Sequence, residues 1–333
     1  PHEGLDTIDA TLDFGISTTK LAIIKGGFAL ALASAAAVSE VSEGAEVHDA
    51  DADATTSLLL ASWEDVEDVA EDEKGCYVLT AGAEVERFQV FSENTSRACS
   101  LMPAGPGLAP TALIAGFSMH RFGVGVDPME DTARKIGAIA PVRQGARILD
   151  ICTGLGYTSI AASRKGAHVT TIELDPTMTR MCQMNPHSRE LFGGNIRQLY
   201  GNAADVVPTL PDGAFDRIIH DPPTFALAGE LFSSEFYGHL MRILAPKGRL
   251  YHYIGDPASK SAGNVAKGVV QRLKATGFGG VAIDYDAHGV IAAHGPVKVN
   301  PPPKAAKKQQ GGEGRGGGGG KVVGGGGGGA RGG

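Results

Sequence analysis

Between Ala146 and Ala293 short apolar runs alternate with amphipathic stretches, and this rhythm restricts the fold more tightly than any other feature of the chain. The runs at 147–151, 168–173, 196–200, 217–220, 250–254, 281–284 and 290–293 have the length and apolar density of strands covered on both faces. The stretches between them, at 158–165, 176–185, 203–207, 234–244 and 265–276, carry apolar residues at helical spacing. Strand and helix in alternation predict an α/β class, with a doubly wound, seven-stranded parallel sheet over 141–295.

The first 126 residues follow another pattern. Strand-like runs at 21–24, 76–80, 88–91, 98–102 and 112–117 are separated by polar turns, which predicts a small β-rich N-terminal domain over 1–126. Within it, the acidic, Ala-rich stretch at about 29–56 is expected to be a solvated insertion. Ser62, with Asp65 three residues on, has the form of a capping box, and Trp63 beside it is expected to pack. Asp127-Pro128 opens a linking helix over 127–140, with an apolar stripe expected at Met129, Ala133, Ile136 and Ile139. From 296 to 333 Pro, Lys and Gly dominate, and a disordered tail is expected.

The formal charge of −7 belongs to these appendages. Residues 26–73 hold thirteen acidic side chains and no Lys or Arg, whereas 296–333 hold seven basic and one acidic. The remainder is balanced, so net charge neither favours nor excludes a polyanionic partner. The tail's Arg315-Gly316-Gly317 and Arg331-Gly332-Gly333 suit loose RNA contact, and equally a plain low-complexity extension. Four cysteines without a C-x-x-C pair predict no metal site and a reducing compartment. The longest apolar run, 28–38, is far short of the roughly 20 residues that span a bilayer, so no membrane segment is expected. The start at Pro1 suggests a processed or trimmed product. A soluble, intracellular location is expected, in the cytoplasm or an organelle such as a plastid.

The chemistry gathers at strand ends. Asp150-Ile151-Cys152-Thr153-Gly154-Leu155-Gly156 follows the first strand and precedes a helix, where glycines let the backbone turn tightly against a ligand. The second strand ends in Glu173-Leu174-Asp175, which puts a carboxylate where it can accept both hydroxyl hydrogens of a ribose. Gly201-Asn202-Ala203 follows the third strand. His220-Asp221-Pro222-Pro223-Thr224-Phe225 ends the fourth.

Taken together, these four motifs resemble the class I S-adenosylmethionine-dependent methyltransferases, over about 150 residues from Ala146 to Ala293. The whole chain, including 96–102 and 116–121, resembles a group of predicted archaeal methyltransferases with an Asp-Pro-Pro-Thr-Phe motif. The resemblance implies a Rossmann-like sheet and S-adenosyl-L-methionine as cofactor. It implies Asp150 as an anchor behind the loop or a partner of the cofactor's amino group. The Thr153, Gly154 and Gly156 backbone would cradle the methionine part, and Glu173 would hold the ribose. Leu174 would pack on the adenine, with Asn202 and Ala203 reading its edge. Two positions depart from the family: Cys152 stands for the usual first glycine and Asn202 for a common aspartate.

Asp221, Pro222 and Pro223 resemble the Pro-Pro box with which amino-methyltransferases align an acceptor nitrogen, and they are the expected catalytic residues. Thr224 takes the usual aromatic position there, and Phe225 follows. The string is similar to one in a bacterial 23S rRNA guanine-N7 methyltransferase domain, which makes a base nitrogen of rRNA or tRNA the expected acceptor. Carbon-5 methylation is disfavoured because no cysteine follows Cys182. Phe225, His120, Arg121, His252 and Tyr253 are the candidate substrate residues. His220, His252 and Tyr253 have a plain packing role as an equal alternative, and the strip 116–121 is either a turn or a cover over the cofactor. Two other functions stay open: transfer of a methyl or aminopropyl group to a small amine, with Asp221, Glu230 and Asp256 facing it, and a non-catalytic scaffold on the same fold.

Overall fold

The structure is a computed structural model that describes residues 7–10, 16, 19–24, 27–31, 57–79, 84–123 and 125–299, with side chains described from Ala61 onward apart from Ile16. Most of the acidic insertion, and the tail from residue 300, lie outside the described residues.

The sheet expected from the rhythm is present. Its strands are β11 (Arg147–Ile151), β12 (His168–Glu173), β13 (Ile196–Tyr200), β14 (Phe215–His220), β15 (Leu244–Tyr253), β16 (Gly280–Asp284) and β17 (Gly289–Ala293), numbered after ten strands that precede them. Their order is β13-β12-β11-β14-β15-β17-β16. The strands from β13 to β15 run parallel, while β17 is antiparallel to both neighbours. One strand, β17, thus runs against the direction of its neighbours. Only four residues, Tyr285 to His288, join β16 to β17. A parallel crossover needs a dozen or more, so the chain must fold straight back.

Helices cover both faces: α3 (Tyr157–Ser163), α4 (Pro176–Met184), α5 (Ala203–Val206), α6 (Ser234–Ile243) and α7 (Lys260–Thr276). On one side Leu149, Ile151, Ile218 and Leu250 pack against Phe236, Tyr237, Leu240, Val269 and Leu273. On the other, Ile148, Val169, Ile219 and Tyr251 pack against Ile136, Ile139 and Ala162. Val297 and Val299 join this second cluster, so the first residues of the expected tail pack against the core.

The first four strands, β1 (Thr7–Ala10), β2 (Thr19–Ile24), β3 (Gly27–Ala31) and β4 (Ser57–Ser62), form an antiparallel sheet in chain order. The acidic stretch therefore interrupts one hairpin, β3 to β4. Helix α1 (Trp63–Glu71) follows, with the Ser62–Asp65 capping box formed at both ends. None of its residues is fully buried, and Trp63 is 38 % exposed. A small ladder pairs β5 (Tyr77–Leu79) with β6 (Val85–Arg87).

The next sheet, β10-β9-β8-β7, comprises β7 (Gln89–Ser92), β8 (Arg97–Met102), β9 (Thr111–Ile114) and β10 (Phe117–Ser118). Its buried face is shared with the large sheet's helices: Cys99, Leu101, Ala109 and Ala112 form one cluster with Leu155, Tyr157, Ile160, Met178, Met181 and Leu191. Polar contacts fasten the same seam. Tyr157 Oη donates to Pro110 O at 2.8 Å, Ser92 Oγ to Asp175 Oδ2 at 2.5 Å and Asn94 Nδ2 to Leu174 O at 3.1 Å.

Helix α2 (Pro128–Ala138) links the two parts, capped by Asp127, whose Oδ1 accepts from Met129 N and Glu130 N. Its buried face differs from the expected stripe. Ile136 and Ile139 are buried, but Ala133 is exposed, and Asp131, Thr132 and Lys135 turn inward. Charged residues face the core here because each has a charged partner, described below.

Candidate active site

Order in the sheet reverses between β11 and β14, and in open α/β sheets ligands bind in the crevice beyond the strands at such a reversal. The glycine loop after β11 and the Pro-Pro loop after β14 meet there. Asp221 N donates to Ile151 O at 3.2 Å, holding one loop against the other.

The glycine loop has little freedom. Gly154 (φ +54°) and Gly156 (φ +75°) are left-handed. A Cβ at Gly154 would sit 2.6 Å from Met119 Sδ, and one at Gly156 2.9 Å from Leu191. Cys152 takes φ +70°, the conformation its usual glycine would adopt, so the departure from the family costs backbone strain of about 1–2 kcal/mol. Behind the loop, Asp150 is fully buried. Its Oδ2 accepts from Thr158 Oγ1 (2.7 Å) and Ser159 Oγ (2.6 Å), whereas Oδ1 has no partner among the described residues. Burial pushes Asp150 up to about 6, against the pull of the Ser159 and Thr158 hydroxyls.

Glu173 reaches back under the loop. Its Oε2 accepts from Gly154 N and its Oε1 from Asp175 N, both at 3.0 Å. Burial raises its pKa, and these backbone donors oppose the rise. Each oxygen keeps lone-pair capacity for a second donor. Thr153 Oγ1 is 2.6 Å from Thr171 Oγ1, tying the loop to β12. Leu174 is exposed at the strand end. Asn202 caps α5, its Oδ1 accepting from Ala204 N at 3.0 Å, with Ala203 buried beside it.

The residues expected to hold S-adenosylmethionine thus converge on one crevice, and the local chemistry suits that cofactor. A buried carboxylate oxygen of Asp150 lacks a partner, Glu173 retains acceptor capacity, and a cradle at Gly154 would be filled by any Cβ.

The acceptor side contains a charge network that the motifs did not indicate. Lys135 Nζ lies 2.5 Å from Asp221 Oδ2 and 3.0 Å from Asp131 Oδ2, and 4.8 Å above the Tyr253 ring. Arg121 Nε binds Asp131 Oδ1 at 2.5 Å, and its Nη2 donates to Asp286 O at 3.2 Å. Lys135 has a side chain only 4 % exposed, yet its pKa is raised, because Asp221 and Asp131 outweigh the burial that opposes them. The available signal was the four-residue spacing of Asp131 and Lys135, which places opposite charges on one helix face.

Beside this network, a cavity of about 440 Å³ is lined by Ser118, Met119, His120, Arg121, Phe122, Arg134, Tyr253 and His288, among others. The strip 116–121 is therefore more than a turn, since Met119 lies over Gly154. His120 accepts or donates at Thr111 Oγ1 (3.0 Å) and stacks on Tyr157 at 5.0 Å. Burial, with the Lys135 charge, pushes it down to about 3, so it is neutral.

Other candidates sit elsewhere. His252 is fully buried, with Nε2 2.9 Å from Tyr237 Oη and Nδ1 3.4 Å from His220 O, and it does not line the cavity. His220 is also buried, with Nε2 3.0 Å from Leu231 O. Packing is the role the geometry gives both. Phe225 is 52 % exposed on the Pro-Pro loop, edge-on to Phe232. Pro222 is buried and Pro223 exposed, while Glu230 and Asp256 are exposed and outside the cavity lining.

Cys152 is closer to the reaction centre than its place in the sequence suggests. Because Ile151 pairs with His220, Cys152 neighbours Asp221. The chain offers a cysteine beside β14 after all, contrary to the ground on which carbon-5 methylation was set aside. Its thiol is nevertheless raised well above its usual range by burial and by Glu173, Asp221, Asp150 and Glu230. Burial and these carboxylates thus favour the protonated thiol, the weaker nucleophile of the two forms.

Among the described residues no cluster of three or more His, Cys, Asp or Glu could hold a metal, and no helix is long and apolar enough to cross a membrane.

The sheet order and its helices have the form of the Rossmann-like methyltransferase fold. The family described as "Conserved hypothetical protein 95" matches residues 123–247. "Uncharacterized protein MJ1233" of Methanocaldococcus jannaschii is 43 % identical over 232 residues, covering 69 % of this chain and 77 % of that protein. The chain belongs to the family of that archaeal protein. Polyamine aminopropyltransferase 1 of Streptomyces coelicolor is 33 % identical over 122 residues, covering 34 % of this chain and 23 % of that one. A putative ribosomal RNA large subunit methyltransferase of M. jannaschii, MJ1653, is 30 % identical over 102 residues, covering 30 % and 26 %. The chain thus spans about a quarter of these last two proteins. Among solved structures, spermidine synthase from Thermotoga maritima aligns with a TM-score of 0.50 at 16 % identity, over 67 % of this chain and 79 % of that one, a likeness of fold.

Proposed function

We propose that this protein is an S-adenosylmethionine-dependent methyltransferase that methylates a base nitrogen of rRNA or tRNA. The observation that carries the RNA acceptor is the cavity beside the glycine loop. Arg121, Arg134, His120, His288, Ser118 and Tyr253 offer it donors and aromatic faces, and no carboxylate lines it. Such a lining suits a nucleobase with its carbonyl and phosphate oxygens better than a polycationic amine.

When bound, the cofactor supplies an activated methyl group on a sulfonium. The protein's part is alignment, which can contribute several kcal/mol without a strong base. Glu173 and the Thr153–Gly156 backbone would hold the donor, with Met119 lying over Gly154. Asp221 and the Pro222 carbonyl would orient the acceptor nitrogen. The cofactor would supply the methyl carbon and, on its sulfur, a place for the electrons of the bond that breaks. The nitrogen's proton then leaves past Asp221 to solvent.

Calorimetry tests the cofactor site. Glu173→Ala is expected to weaken S-adenosylmethionine binding by about ten- to a hundredfold, through loss of a charge-assisted contact, and Gly154→Asp to abolish it. Normal binding by both variants would overturn the site. Nucleoside mass spectrometry of RNA from cells with and without the gene tests the acceptor, an unchanged spectrum counting against RNA.

A second reading, aminopropyl or methyl transfer to a small amine, draws support from the Streptomyces relative and from the carboxylates of Glu173, Asp221, Asp150 and Glu230 around Cys152. Its weakness is that Lys135 already neutralises Asp221. Turnover of decarboxylated S-adenosylmethionine with putrescine would establish it. Failure to bind either cofactor would leave the scaffold role.

A further inference from the structure

Nothing in the motifs assigns a role to Lys135, yet it is the most deeply buried cation at the reaction centre. A buried ammonium is tolerated only when paired, and here the pairing has a direction. Asp131, 1 % exposed and also bound to Arg121, anchors the inner side. On the outer side stands Asp221, 23 % exposed, at the mouth of the crevice. Four charges of alternating sign, Arg121, Asp131, Lys135 and Asp221, thus run from the strip over the glycine loop, through α2, to the acceptor loop.

We propose that Lys135 is the positioning residue of the methyl transfer: its buried ammonium grips Asp221 Oδ2 so that Oδ1 is presented, in fixed orientation, to the N–H of a nucleobase acceptor. The proposal rests on the N-methyltransferase reading. Its geometric basis is that Asp221 Oδ2 is held at 2.5 Å while Oδ1 has no hydrogen-bond partner among the described residues. The ammonium also lies over the Tyr253 ring, 4.8 Å from its centroid. The groups that face Asp221 are Lys135 from α2, Asp150 and Cys152 from the end of β11, and Tyr251 and Tyr253 from β15. Lys135 is the cation among them, and its charge-assisted hydrogen bond to Oδ2 fixes the orientation of the carboxylate. A purely structural pair would tie α2 to the acceptor loop, with no effect on kcat beyond its effect on folding.

The test uses the full chain with S-adenosylmethionine and total RNA from cells lacking the gene, comparing wild type, Lys135→Met and Lys135→Arg between pH 5 and 9. Lys135→Met is expected to lower kcat on the order of 10²-fold, the loss typical of a misplaced reacting group, with S-adenosylhomocysteine affinity unchanged. KM for the RNA should change little, so that the loss falls on kcat. Lys135→Arg should recover most of the rate. In parallel, three-bond couplings of Asp221 in ¹³C-aspartate-labelled chains bound to S-adenosylhomocysteine, assigned with Asp221→Asn, report whether its side chain holds one rotamer, and this readout needs no acceptor. Wild type and Lys135→Arg should hold one rotamer and Lys135→Met several. Should Lys135→Met fail to fold, Lys135→Gln keeps a donor without the charge and should loosen the side chain in the same direction. A single rotamer kept in the variant overturns the proposal. A loosened Asp221 in a protein that transfers no methyl to RNA upholds the role of Lys135 and refutes the RNA acceptor instead.

Discussion

At the residue scale, Cys152 shows how a family departure is accommodated. A side chain at φ +70° is strained, whereas glycine is not. Replacement by alanine keeps that strain and removes the sulfur's packing against the neighbouring core. Cys152→Gly is therefore expected to be more stable than Cys152→Ala by about 1 kcal/mol, the reverse of the usual order, in denaturant unfolding. Equal midpoints would show that the loop relaxes instead. Asp150 carries a pH signature. Its folded pKa of about 6 lies above the ordinary 3.8, so the folded protein holds a proton that the unfolded chain has released between those values. Stability falls as pH rises through that window, and the cost is complete above about pH 6, approaching about 3 kcal/mol at 1.36 kcal/mol per unit. Asp150→Asn removes this dependence. The stability difference between variant and wild type should thus move in the variant's favour from pH 4 to pH 7, and a difference constant across that range would mean Asp150 is ionised throughout.

At the scale of elements, the pattern of β11, β12 and β13 was legible to the residue. β11 and β12 are mostly buried strands inside the sheet, whereas β13 is a partly exposed edge strand marked by Gly194 before it and Gly201 after it. The antiparallel β17 was less so. Its sequence is as apolar as its neighbours', and the direction of a strand is set by the length of the connection before it. The glycine loop, Glu173 and Asp221 were legible because each sits at a strand end, where register fixes the side chain. The Lys135–Asp131 pair was hidden because α2 was judged by its apolar residues, and an inward charge is recognisable only once its partner from another element is known. The N-cap of α2 holds that pair in place. Asp127→Ala should cost about 1 kcal/mol, the usual worth of a cap, in thermal or denaturant unfolding. No loss would imply that α2 is held by its buried partners alone.

For the whole molecule, the seam between the N-terminal strands and the large sheet matters most. Sequence rhythm divides the chain near residue 126, but Leu101 and Ala112 are buried against Leu155, Tyr157 and Met181 across that line. A chain beginning at residue 127 would expose this apolar face. It is expected to be insoluble or to bind a hydrophobic dye strongly, whereas a monodisperse, cooperatively unfolding fragment would show that the large sheet stands alone.

The contacts of Ser92 with Asp175 and of Asn94 with Leu174 have a thermodynamic consequence of their own. They clamp the turn that carries Glu173, so the order of that turn is shared between the N-terminal sheet and whatever occupies the crevice. Linkage is reciprocal. If donor binding tightens the turn, it tightens the N-terminal sheet by the same free energy, and an acceptor that engages that sheet must raise donor affinity by the same factor.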